Sequence, residues 1–126
     1  MTLIHTIRIP FPPSVNSLWR IGRGRMFRSK KYTSFMKRCE EEIIWDALPP
    51  IDYKIEVVVV VGRPRNKDGS ITKVRMDIDN RLKSTLDILE NVNGGVYTDD
   101  CLIEKITASW STEVEYTEIK IYKYVD

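Results

Sequence analysis

The stretch Ile55 to Val61 reads IEVVVVV, and it narrows the possible folds more than any other part of the chain. β-branched side chains lose rotamer freedom in a helix and pack well on a pleated surface. The run is too short for a typical helix and too continuously apolar for a solvent-facing strand, so it predicts a buried central strand. Its purely apolar part, Val57 to Val61, is the longest in the chain at five residues. A membrane-spanning helix needs roughly 20. The remaining sequence must supply the elements that cover this strand.

Those elements are legible by period. Leu3 to Ile9 is apolar and β-branched and stops at Pro10, predicting a first strand. Ser14 to Ser29 is Gly- and Arg-rich and predicts a loop or irregular hairpin. Tyr32, Phe35, Met36, Cys39, Ile43 and Ala47 recur at three- and four-residue spacing, one stripe of a helix that Pro49 and Pro50 end. Ile71 to Asp79 alternates, which predicts a strand with Val74, Met76 and Ile78 on one face and Arg75, Asp77 and Asp79 on the other. From Asn80 the pattern turns helical, with Leu82, Leu86 and Leu89 on one side and NGG at 93 to 95 as the stop. Strands over 102 to 110 and 116 to 125 follow. With no repeat or linker, residues 1–126 read as a single small α+β domain, a mixed sheet with two main helices.

The two cysteines, Cys39 and Cys101, form no CxxC pair, and His5 is the one histidine that could join them. Neither a disulfide framework nor a zinc cluster is expected, and both thiols read as reduced and buried. The opening MTLIHTIRIPFPP lacks the basic start and long apolar stretch of an export signal, so a cytoplasmic location is expected, with no membrane partner.

The net charge of +2 hides a segregation. Residues 1 to 38 carry nine basic side chains and no acid, so all eighteen carboxylate side chains fall in the rest. Such a split suggests a polyanion-binding surface and, elsewhere, chemistry that needs carboxylates. Arg20, Arg23, Arg25, Arg28, Lys30 and Lys31, interleaved with Trp19, Phe27 and Tyr32, are the candidate DNA contacts, with Arg75 from the later basic stretch. The plainer alternative is a solvated face.

The acids cluster in two places, Asp77 and Asp79 in DIDNRLK and Asp99 and Asp100 after the glycine turn. Alternate residues of a strand share a side, so Asp77 and Asp79 could flank a hard cation, and a third carboxylate could fold back to it. Crowded carboxylates are eased by Mg²⁺ or Mn²⁺, which prefer oxygen ligands. Lys83, one turn beyond Asp79, stands where an ammonium could stabilise charge on a phosphate. As ordinary structure, the same residues are a helix cap and a turn.

PPSVN at 12 to 16, RGR at 23 to 25, DIDNRLK at 77 to 83 and TDD at 98 to 100 together resemble the RusA family of Holliday junction resolvases. The resemblance implies a small α+β homodimer that binds four-way junction DNA and nicks two opposing strands with Mg²⁺. It puts the essential carboxylates at Asp77, Asp79 and Asp100, with Asp99 the other choice for the third, and the essential lysine at Lys83. The basic residues before the first aspartate are spread over Arg63, Arg65, Lys67, Lys73 and Arg75 rather than gathered in one run. A nuclease acting on forks or flaps, and a junction binder without catalysis, are the alternatives.

Overall fold

The computed structural model describes residues 2–14, 19–22, 25–42, 49–91 and 95–125. In chain order the elements are β1 (Thr2–Ile9), β2 (Trp19–Gly22), β3 (Arg25–Arg28), α1 (Lys30–Glu42), β4 (Ile55–Gly62), α2 (Ile78–Asn91), β5 (Ile103–Ser111) and β6 (Thr117–Lys123). The main sheet runs β1-β6-β4-β5, and β2 and β3 form a separate antiparallel hairpin.

The valine run is central, as its composition requires. β4 pairs antiparallel with β6 and parallel with β5, while β1 pairs antiparallel with β6, so the sheet is mixed. Ile55, Val57, Val59 and Val61 are fully buried, and they meet Ile7 and Ile9 of β1 and Ile119 and Ile121 of β6 in one core. Val58 and Val60 are only half-buried on the other face. That face carries ion pairs, Arg8 with Glu118 at 3.8 Å and Lys105 with the buried Glu56 at 3.7 Å.

Both helices cover the core face. Ser29 starts α1, its Oγ accepting from the Tyr32 N–H at 3.1 Å, and Tyr32, Phe35 and Cys39 lie buried beneath it. Ile43, Trp45 and Ala47 lie outside the described residues. Helix α2 buries Ile88 and Leu89, with Leu82 and Leu86 packed beside them. The Tyr32 hydroxyl donates to Asp87 Oδ2 at 3.3 Å and ties the helices together. No helix among the described residues is long and apolar enough to cross a membrane.

Three expectations are corrected. Ile71 to Asp79 is not a strand: Ile71 makes one isolated bridge with Arg65, residues 72–77 join no ladder, and Ile78 and Asp79 already belong to α2. The alternation has no apolar layer to meet, and Val74 is 62% exposed. Cys101 is exposed rather than buried: it sits in a short 3₁₀ turn ahead of β5, none of whose residues is buried. Tyr32 is buried under α1 and so offers no face for stacking on a base.

Candidate active site

The site is organised by α2, whose two ends are fixed by different parts of the chain. At its start, the Pro-rich segment after β1 is stapled to the helix. Ser84 Oγ donates to the Pro13 carbonyl at 2.7 Å, and the Arg81 guanidinium donates to the Pro12 carbonyl at 2.9 Å while lying 4.8 Å over the Phe11 ring. Pro12, Pro13 and Ser84 are buried. Prolines have no N–H to satisfy, so their carbonyls are the groups needing partners here. The staple extends sideways: Phe11 stacks on Trp110 at 6.4 Å, and Arg63 lies 4.4 Å over that indole. Val15 and Asn16 of the PPSVN element lie outside the described residues.

This end carries Asp77, Asp79 and Lys83. Asp77 immediately precedes the helix and accepts from the Asn80 side chain at 3.5 Å. Asp79 lies exposed in the first turn, where the helix dipole favours a carboxylate, and Lys83 is exposed one turn later on the same side.

At the far end the chain turns back sharply. Gly95 has φ +87°, and a Cβ there would come within 2.5 Å of the Glu90 carbonyl oxygen, so the turn requires glycine. Val96 N–H donates to the Leu89 carbonyl at 2.7 Å, and the buried Tyr97 hydroxyl donates to the Leu86 carbonyl at 2.8 Å. Asp99 then caps the 3₁₀ turn, Oδ1 accepting from the Cys101 N–H at 2.9 Å. The result gathers Glu90, Asp99 and Asp100, each with a carboxylate oxygen within 4.8 Å of the others.

Of these acids, Glu90 feels the crowding. Partial burial, and then the charges of Asp100, Asp99 and Asp87, push the Glu90 carboxyl up from its ordinary value. Hydrogen bonds from Cys101 hold Asp99 below its own. Three crowded carboxylates, two of them exposed, are an all-oxygen donor set suited to a hard divalent cation such as Mg²⁺ or Mn²⁺.

The structure therefore brings Asp99 and Asp100 together with a residue that sequence reasoning missed, and separates them from Asp77 and Asp79. The backbone rise from Asp79 to Glu90 along α2 is about 16 Å, so these two acids stand at opposite ends of the helix. Glu90 looks like any solvated helix glutamate. Its signal is the turn at Gly95, which must return the following aspartates to the last helical turn.

Of the candidate DNA contacts, Lys30 and Lys31 are exposed on the first turn of α1, and Arg75 is exposed on the irregular segment before α2. The backbones of Arg20, Arg25 and Arg28 belong to the β2–β3 hairpin; their side chains, and Arg23, lie outside what is described.

The family model described as Endodeoxyribonuclease RusA matches residues 10–122. That span contains the Pro-rich staple, both acidic ends of α2 and strands β4 and β5, and it begins just after β1. No curated protein matches the chain.

Proposed function

The chain belongs to the endodeoxyribonuclease RusA family, and from that membership we propose that it is a divalent-metal-dependent nuclease resolving four-way DNA junctions by paired nicks as a homodimer. The observation that carries the reading is the pair of acidic groups at opposite ends of α2. One chain holds two incomplete halves of a carboxylate site. A two-fold axis that set α2 beside its copy in the opposite sense would bring Asp77 and Asp79 of one protomer to Glu90, Asp99 and Asp100 of the other, and would do so twice. Two equivalent centres are what symmetric cutting of a junction needs.

A Mg²⁺ or Mn²⁺ ion held by these carboxylates would supply a water of lowered pKa and neutralise charge on the phosphate. The protein's own part is positional. The aspartates fix the ligand oxygens, Asp99 being oriented by the Cys101 N–H. Lys83 presents a compact ammonium beside Asp79, suited to the negative charge that builds on a non-bridging phosphate oxygen. Ser84 and Arg81 hold the start of α2, and with it Asp77 to Lys83, on the Pro-rich segment.

The test has two arms. Wild-type protein should nick a fixed four-way junction with Mg²⁺ and fail without it, and should cut a linear duplex far less; equal cutting of fork and junction would instead favour a general branched-DNA nuclease. Mixing Asp77→Asn with Asp100→Asn subunits should then restore single nicks, since each mixed dimer keeps one complete centre. No activity in the mixture would place each centre within a single chain.

A further inference from the structure

A cavity of about 680 Å³ opens at the end of the sheet where β1 and β4 finish, the end that also holds the start of α2. Three arginines from separate parts of the chain line it: Arg8 from β1, Arg38 from α1 and Arg65 from the turn after β4. Against them stands one lining carboxylate, Glu115, while Phe11 and Tyr116 give the walls an apolar part. The volume falls among ligand pockets, which span roughly 300 to 1,000 Å³.

Two of the arginines are held in position. The Arg8 guanidinium lies 4.7 Å over the Tyr116 ring, with Nε 3.8 Å from Glu118. Arg65 donates to the Thr112 carbonyl, while its buried Nε stands 4.0 Å from Glu115 and has no hydrogen-bond acceptor among the described residues. Charge-assisted N–H···O bonds are about 2.7 to 2.9 Å long, so neither guanidinium is closed by its carboxylate. Held in place by these contacts, with the Arg8 side chain still largely exposed, they lose little freedom on accepting a further anion.

We propose that this cavity seats a backbone phosphate of the DNA, independently of the carboxylate centre. The inference rests on the nuclease reading above and specifies where the DNA strand runs. Phe11 is shared: it walls the cavity and carries Arg81 of α2. A strand anchored here is thereby led to the end of α2 that bears Asp77, Asp79 and Lys83. Guanidinium forks on non-bridging oxygens supply affinity without reading sequence.

The experiment measures equilibrium binding of a labelled four-way junction, without divalent metal, over a salt series. Each phosphate contact contributes about 0.9 to the slope of log affinity against log salt. Arg8→Ala with Arg38→Ala should lower affinity at least tenfold and flatten the slope by about one unit, whereas Lys37→Ala, exposed on α1 outside the cavity, should stay within twofold. Arg8, with a side chain 63% exposed, can be removed alone without touching the core, so Arg8→Ala decides the matter if the double variant unfolds. Wild-type affinity and slope in the arginine variants, or an equal loss in Lys37→Ala, would overturn the proposal. Wild-type cleavage of the junction is read separately. Cleavage with an unchanged slope removes the cavity alone, while a flattened slope without cleavage removes the nuclease reading and leaves the cavity as a DNA site.

Discussion

Ser84 and Pro13 are 71 positions apart, yet the serine hydroxyl reaches the proline carbonyl at 2.7 Å in a buried contact. This bond joins the Pro-rich segment to the helix that separates the two acidic ends. Ser84→Ala strands a buried carbonyl and should cost about 1 to 3 kcal/mol, the usual penalty for an unsatisfied buried group. Urea unfolding measures it, and a change in midpoint with constant slope separates lost stability from altered compactness.

Asp77→Asn and Asp79→Asn should each abolish Mg²⁺-dependent cleavage while leaving junction affinity within a few fold. Removing a carboxylate weakens the cation site without removing a phosphate contact. Gel-shift affinity and cleavage rate on the same preparations check both halves of the expectation.

Lys83→Ala should slow single-turnover cleavage of bound junction by about 10² at saturating Mg²⁺, since its charge acts where negative charge accumulates. Lys83→Arg should recover little, because a planar fork does not replace a compact point charge. Full rescue of Lys83→Ala by excess metal would reduce the lysine to neutralising nearby acids.

Glu90 gives a prediction in pH. Its folded pKa is raised above the ordinary 4.5, so the protonated form is the one favoured by folding. That contribution is fully present below the unfolded value and is lost as pH rises through the folded one. Metal-free Glu90→Gln should therefore have a higher Tm than the wild type at pH 7, with the gap closing toward pH 4. Added Mg²⁺ should reverse the order, raising the wild-type Tm more, because a ligand stabilises the state that binds it better.

Much of this architecture was legible in the sequence, and the misses have physical reasons. The valine run, the Tyr32–Phe35–Cys39 stripe and the Ile119–Ile121 alternation each declare burial directly, and each lies in the core. Ile71 to Asp79 alternates equally well, but alternation shows which side chains share a side, not whether a neighbouring strand exists. The stretch joins no ladder beyond the Ile71 bridge and leaves Val74 exposed. Ile106 alternates within β5 in the same way, yet β5 is an edge of the sheet and leaves it 40% exposed. Asp77, Asp79, Asp99 and Asp100 were recognisable as a set by motif and order. That Asp99 and Asp100 meet Glu90 was hidden, because it depends on the turn at Gly95 and Glu90 itself has no local signature.

The length of α2 has a consequence for how such a nuclease is kept harmless. A rod whose backbone rises about 16 Å between Asp79 and Glu90 acts as an internal spacer. In the arrangement proposed, a lone protomer has no complete blade, whatever the metal concentration. Activity should then vanish on dilution more steeply than DNA binding does, and newly made chains would meet duplex DNA unarmed until they find a twin.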